Sequence, residues 1–600
     1  MKSPDRLGDV LIRLWGHLNK QRQRQFLALL SLILLSAFAE VASLGAVLPF
    51  LAVLTAPDKV FAYPLVTQVA HSFGISSANE MTLPLTLLFA GAALVAGIMR
   101  MLVLWLGLRF GLSTGSDLSI ELYRRTLYQP YKVHLARNSS EVIAGITTKV
   151  GAVTSGVLQP VLTLISSFVV MVSVIAVLIA VNPYVALTAA LGFGSSYAAI
   201  AYFVRHKLKV NGKRIAREQT QQVKALQEGL GGIRDVLLDG SQPVYCQIYR
   251  DSDLPMRKAL ADSQFISMSP RYAMETLGII LIAALAYSLN QGSGGFASAL
   301  PMLGALALGA QRLLPSLQQC FSSWVAIVSS QEALLETLAF LDQPLPPEAS
   351  AAIPEPLPFK ESIRFQQLRF RYSDETPWVL NSLNLTVRKG MRVGLVGITG
   401  SGKSTTLDVL MGLLQPSDGF LTVDETRLTG EYLRAWQATI AHVPQSIFLA
   451  DATLAENIAF GVSKRDIDLA RVRRAAQQAQ IAAFIESRAD GYQGMVGERG
   501  VRLSGGQRQR IGIARALYKQ ASVLIFDEAT SALDSATEKS VMESIDALDR
   551  TLTIFIIAHR ITTVKNCDLI VELEDGRVAA SGTYEELIEK SANFRNLSGH

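Results

Sequence analysis

The sequence predicts a six-helix α-helical transmembrane domain followed by an α/β P-loop domain, and three observations carry the prediction. Half of the 600 residues are hydrophobic and 18% are charged, which is apolar for a soluble chain of a length beyond one core. Within the first 330 residues, apolar stretches recur at the length of about 20 residues that spanning a bilayer requires. Further on, Gly397-Ile398-Thr399-Gly400-Ser401-Gly402-Lys403-Ser404 lies between an apolar run at 393–396 and a helical pattern at 405–413. Strand, glycine-rich loop and helix in that order form a phosphate cradle.

The net charge of +6 is modest for this size, and the basic residues are not gathered with aromatics into tracts, so no nucleic acid partner is expected. Cys246, Cys320 and Cys567 stand far apart without metal-ligand spacing, which points to neither a disulfide framework nor a zinc site. The first 25 residues are basic but show no small-residue cleavage site behind a short apolar core, so no removable signal peptide is expected.

Residues 5–20 place Leu7, Val10, Leu11, Leu14 and Leu18 on one helical face, which suits an interfacial helix or a simple packed one. Six spans follow, at about 26–54, 83–112, 156–181, 184–205, 271–290 and 296–330. Asn182-Pro183 makes a tight turn between the third and fourth, and Gly292, Ser293, Gly294 and Gly295 join the last two. Basic residues near spans are retained in the cytoplasm. The N-terminus and the connections at 113–155 and 205–265 are rich in Lys and Arg, whereas those at 55–82, 182–183 and 291–295 have Lys59 alone. Both termini are therefore expected in the cytoplasm. The two basic connections are too long for turns, so spans two to five should continue past the bilayer as helices. Six prolines between 344 and 358 mark a semi-rigid linker at 342–361, which divides a transmembrane domain at 1–341 from a second domain at 362–600.

In the second domain, β-branched runs at 363–372, 393–396, 523–526 and 553–558 alternate with helical segments, as in an α/β fold with a largely parallel sheet. Gly397, Gly400 and Gly402 let backbone N–H groups approach phosphate oxygens, Lys403 reaches the β- and γ-phosphates, and the Ser404 hydroxyl suits Mg²⁺. The run 523–526 ends in Asp527-Glu528, where an α/β sheet presents groups to a ligand. Asp527 suits Mg²⁺. Glu528 can orient and polarise an attacking water, since phosphoryl transfer depends on positioning and charge stabilisation. Leu503-Ser504-Gly505-Gly506-Gln507 opens a helix whose free N–H groups and dipole favour an anion. Taken alone, the acidic pair and this pentapeptide would each read as an ordinary helix cap.

In this order, the motifs resemble an ABC transporter of the exporter type, with one transmembrane domain fused to one nucleotide-binding domain, and the resemblance runs over nearly the whole chain. It implies an α/β P-loop ATPase domain that uses ATP and Mg²⁺. It implies that Tyr372 stacks on adenine, that Ser401 and Thr405 join the loop in holding nucleotide, that Gln445 senses Mg²⁺ and the γ-phosphate, and that His559 is the switch histidine. Residues 531–534 match the D-loop, and 497–500 resemble the stretch that touches the transmembrane loops in exporters. In the family two such domains sandwich two ATP molecules, each between one chain's phosphate loop and the other chain's Ser504-Gly505-Gly506-Gln507. Every catalytic element is present, so a homodimer is the economical expectation; a heterodimer with a related half-transporter is the alternative.

Residues 40–50, Pro270-Arg271-Tyr272 and 312–317 look most like flippases of lipid-linked oligosaccharides. That implies an amphipathic, anionic lipid-linked substrate moved from the cytoplasmic to the outer side of a bacterial inner (plasma) membrane. An exporter of peptides, drugs or other lipids is the alternative. A soluble ATPase acting on DNA ends or ribosomes shares the ATP motifs but not the spans. Arg100 and Arg312 fall within spans two and six, where an arginine costs about 2.5–3.5 kcal/mol. At about 1.5 Å per residue from the outer ends, both lie roughly 25 Å down and could share one level of a cavity. There they would attract an anionic head group, such as a pyrophosphate, through charge-assisted hydrogen bonds. A structural ion pair of Arg100 with Glu40 is the plainer reading, although Glu40 falls about 21 Å from the inner end of span one, nearer the outer side.

Overall fold

The structure, a computed structural model, describes residues 6–55, 78–181, 183–290, 313–346, 354–528, 548–558 and 561–598, with a few positions between them. Two compact units divide it, one of Met1–Gln129 with Arg137–Leu345, the other of Pro130–Ala136 with Pro346–His600.

The main helices of the first unit are α1 (Leu7–His17), α2 (Lys20–Thr55), α3 (Thr82–Leu127), α4 (Gln159–Val181), α5 (Pro183–Gly231), α6 (Gln242–Asn290), α7 (Leu313–Ser329) and α8 (Gln331–Leu341). The apolar face of α1 is packed in protein, with Val10 and Leu14 buried among Leu118, Leu122, Val153 and Leu334. Arg13 and His17 both bond Asp342, at 2.5 and 2.8 Å, and tie α1 to the residue that ends α8. Helix α5 opens on Pro183, whose preset φ and missing N–H suit a first helical position. At 46, 49 and 49 residues, α3, α5 and α6 are each about 70 Å long, more than twice a hydrocarbon core. Among the described residues, Lys20–Ser43, Thr82–Leu127 and Ser139–Ile179 are long and apolar enough to cross a membrane. A fourth joins them if α7 and α8, bent by 51°, count as one. Residues 184–205 and 271–290, the expected fourth and fifth spans, are helical as parts of α5 and α6, and residues 296–312 of the expected sixth lie outside the described residues.

Before α4 the chain makes two π turns, Gly145–Lys149 and Thr154–Leu158. The first carries Lys149, which is 3% exposed and paired with Glu336 of α8. Pairing is what permits a lysine there, since a lone buried ammonium would lose its solvation.

In the second unit the strands are β1 (Ser362–Phe370), β2 (Leu380–Arg388), β3 (Arg392–Val396), β4 (Asp418–Val423), β5 (Thr426–Arg427), β6 (Ile440–Val443), β7 (Val523–Asp527), β8 (Thr553–Ile557), β9 (Leu569–Glu574) and β10 (Arg577–Gly582). Six of them form one sheet in the order β10-β9-β3-β8-β7-β6, parallel except for β10. The other four form an antiparallel sheet, β2-β1-β4-β5. Alternate residues of β7 enter different cores, Leu524 and Phe526 one and Val523 and Ile525 the other. Both faces are covered, which is why the central strands read as unbroken apolar runs.

Asp424, half-buried after β4, accepts from the backbone N–H groups of Lys360, Glu361 and Ser362 at 2.9, 2.8 and 2.9 Å, and pins the start of β1. Burial raises its pKa, but the three donors outweigh burial and hold it below the usual carboxylate value. With a depressed folded pKa, the stabilisation is fully present above the unfolded-chain value of about 3.9 and is lost as pH falls through the folded one. Asp424→Asn is expected to lower stability by about 1 kcal/mol at pH 7, a gap that closes below about pH 4. Thermal unfolding of wild type and variant across pH checks this.

Candidate active site

The carboxyl end of β3 delivers the chain into the phosphate loop. Gly397 has φ +147°, and a Cβ there would lie 2.3 Å from the Leu573 carbonyl oxygen; Gly402, at φ +98°, caps helix α9 (Lys403–Leu410). Only glycine fits at 397, by contact as well as by conformation. The helix begins and ends earlier than the expected 405–413. Its end is set by Gly412 at φ +67°, where the N–H groups of Leu413 and Gly412 donate to the Asp408 and Val409 carbonyls at 2.9 and 3.0 Å. Ser404 and Thr405 therefore stand in the first turn, beside the loop.

Lys403 is 6% exposed, and its Nζ donates to the Gly397 and Ile398 carbonyls at 2.7 and 2.8 Å. Two of its three donors are thus inside the loop. Burial lowers its pKa, and the nearby Glu528 and Asp527 carboxylates oppose that. The Ser401 hydroxyl is buried without a protein partner among the described residues. Such a group in a loop of this shape fits a bound phosphate oxygen.

Asp527 ends β7. Glu528 follows with φ +49°, its N–H donating to the Ile557 carbonyl at 3.2 Å. A non-glycine residue in this region costs about 1–3 kcal/mol, and such strain clusters at active sites. Gln445 Nε2 donates to Glu528 Oε2 at 2.6 Å, which brings two of the expected catalytic residues together from 83 positions apart. Tyr372 is 38% exposed, lies edge-on to Phe370 at 5.1 Å, and has its hydroxyl 3.4 Å from Thr405 Oγ1. Its ring is thereby held near the first turn of α9.

Ser504 caps helix α10 (Gly505–Lys519) reciprocally: the Gln507 N–H donates to Ser504 Oγ at 3.3 Å and the Ser504 N–H to Gln507 Oε1 at 2.9 Å. The box uses the Gln507 donor and leaves the N–H groups of Gly505 and Gly506 for another acceptor. Residues Glu498–Gly500 form a tight turn, with Arg499 at φ +51°. His559, residues 531–534 and Arg312 lie outside the described residues.

Asp408 is a carboxylate that sequence reasoning passed over. Burial, and then Asp527, push its pKa up to about 6. Its place one helical turn beyond Ser404 was the available signal. The Asp527 carboxylate, the Ser404 hydroxyl and the Gln445 carboxamide offer oxygen donors, the kind that suits Mg²⁺, an ion that takes one or two carboxylates and completes its shell from phosphate and water. Tyr131, of the short helix Tyr131–Ala136 in this unit, also has its pKa raised, by burial and then by Asp408 and Tyr372. No spacing in the sequence links it to them.

In the first unit, Arg100 Nε lies 3.4 Å from Glu40 Oε2, with the side chains 54% and 7% exposed. The pair sets the two side chains at one level, so the depth count from the hydropathy edges at 26 and 83 misplaced at least one of them. Helix α2 begins six residues before the edge at 26, whereas α3 starts within one residue of the edge at 83.

A phosphate loop, an acidic strand end and a capped glycine helix start in one α/β unit, in a chain that also bears bilayer-length helices, define an ATP-driven membrane transporter. Residues 380–531 match the family described as ABC transporter, and residues 27–298 the ABC transporter transmembrane region. The ATP-dependent lipid A-core flippase of Saccharophagus degradans is 30% identical over 500 residues, 81% of this chain and 82% of that protein. The Heterocyst differentiation ATP-binding protein HepA of Nostoc sp. is 29% identical over 568 residues, 93% and 90% of the two chains. The solved structure of a bacterial Atm1-family ABC exporter with ATP bound shares the fold, with TM-score 0.76, 23% identity, and 96% and 98% of the two chains covered. The chain belongs to the ABC transporter family, as a membrane-embedded half-transporter of the exporter type that hydrolyses ATP to drive transport.

Proposed function

We propose that this half-transporter works as a homodimer in a bacterial inner membrane and flips a lipid-linked oligosaccharide from the cytoplasmic to the outer leaflet. Each chain contributes six spans, with both termini in the cytoplasm. The substrate reading is carried by relatives aligned over most of the chain whose names specify a lipid, lipid A-core, as the molecule moved. The short stretches that resemble oligosaccharide flippases narrow it further.

In each catalytic site, Gly397, Gly400, Ser401, Gly402, Lys403, Ser404 and Thr405 hold the phosphates and Tyr372 meets the adenine. Ser404, Asp527 and Gln445 would hold Mg²⁺, which when bound supplies charge neutralisation on the β- and γ-phosphate oxygens. Glu528 orients the attacking water, Gln445 holds Glu528, and His559 contacts the γ-phosphate. Ser504, Gly505, Gly506 and Gln507 of the opposite chain close the site with a helix N-terminus. Arg100 and Arg312 are contacts for the polar part of the substrate.

The test is transport and ATP hydrolysis by the full chain in sealed proteoliposomes, offered fluorescent lipid-linked oligosaccharide, hydrophobic peptide or drug. Movement of the lipid-linked sugar with stimulated ATP hydrolysis is expected. Stimulation by peptide or drug alone would replace this reading with that of a peptide or drug exporter.

A further inference from the structure

Helices α2, α3, α4 and α7 line an open cavity of about 460 Å³, within the range of small-molecule sites. Its polar lining needs an explanation in a membrane domain. Helix α2 supplies Ser36 and Glu40, one turn apart; α4 supplies Gln159 and Ser166; α7 supplies Ser316 and Gln319. Ser36 and Ser316 are each only 7% exposed, and neither hydroxyl has a hydrogen-bond partner among the described residues. The Gln159 carboxamide likewise has none. Gln319 Oε1 accepts from Ser167 Oγ at 2.8 Å, which leaves its amide donors turned to other use.

A polar group without a partner inside a bilayer costs several kcal/mol, so several in one cavity call for water or a common ligand there. The charges narrow its class. Glu40 and Arg100 both line the cavity and pair at 3.4 Å, so their formal charges cancel. An anion entering would face the buried Glu40 carboxylate, and a cation would face Arg100. An uncharged group rich in hydroxyls meets neither penalty, and its hydroxyls both donate and accept, as the serine and carboxamide lining requires.

We propose that this cavity is a subsite for the uncharged glycosyl part of the substrate, apart from any contact to its phosphate. The proposal rests on the lipid-linked reading above. The test uses the full chain in proteoliposomes and compares ATPase stimulation by polyprenyl glucoside with that by polyprenyl phosphate of the same chain length. Wild type should respond to the glucoside. Gln159→Leu and Gln319→Leu should each raise its half-maximal mole fraction about fivefold or more, as loss of one hydrogen bond of about 1 kcal/mol implies, with the phosphate response shifted less than about twofold. Gln319→Asn, which keeps the carboxamide, should recover part of the response, and Ser316→Ala should shift it in the same direction if a leucine variant fails to assemble. Equal shifts for both lipids, or a cavity that holds water only and leaves every variant with the wild-type glucoside response, would overturn the subsite. A wild type stimulated by the phosphate alone overturns the subsite and leaves the lipid-linked reading standing. A wild type that ignores both lipids and responds to a hydrophobic peptide overturns both.

Discussion

Glu528→Gln is expected to lower ATP turnover about 10²- to 10³-fold while ATP binding is retained. The backbone of Glu528 is held at φ +49° by its bond to the Ile557 carbonyl, and its side chain by Gln445. The amide keeps the size and can still bond the Gln445 carboxamide, so geometry should survive while the charge that orients and polarises water is lost. Binding of a fluorescent ATP analogue, measured beside steady-state phosphate release, separates the two effects. Turnover near the wild-type rate would remove Glu528 from this role and leave the polarising group to be sought elsewhere, with Asp408 the next carboxylate to examine.

Mixed dimers should show the second large effect. Lys403→Ala removes the ammonium from inside the phosphate loop, and Ser504→Arg removes the cap of α10 and crowds its first N–H groups. Each homodimer is expected to be nearly inactive. In a two-fold dimer with shared sites, a mixed pair gathers both lesions at one site and leaves the other intact, so random mixing of equal amounts should restore about a quarter of wild-type ATPase activity. Absence of recovery, with mixed dimers shown by orthogonal tags, would mean that one chain completes its own site.

Much of the catalytic site is legible as strings because its chemistry constrains neighbours in sequence. A phosphate loop needs glycines at fixed spacing with Lys403 and Ser404 directly after them, and a capped helix start needs Ser504 three residues before Gln507. Pairing across the sheet is not written that way. Nothing local says that Gln445 will reach Glu528, because β6 and β7 become neighbours only when the parallel sheet assembles, or that Asp527 will act on Asp408, which the helix after β3 carries. The antiparallel sheet was missed although β1 interleaves polar Arg364, Gln366, Gln367 and Arg369 with its apolar residues, unlike the unbroken apolar runs of the parallel strands; its partners β2 and β4 are set only by tertiary pairing.

In the membrane part, hydropathy alone identified where apolar helices run among the described residues, since it is a sum over consecutive residues. Which faces meet was decided by tertiary structure. Glu40 and Arg100 pair across α2 and α3 although a count from the hydropathy edges set them at different depths, because the edge of an apolar run does not fix the height at which two helices pack against each other. The polar groups that converge between α2, α4 and α7 are serines and glutamines scattered singly or in pairs along the helices, each unremarked in sequence. They become one cavity only because helix packing turns their separate faces toward a common space, and contact of that kind depends on distance in three dimensions, which a linear pattern does not encode.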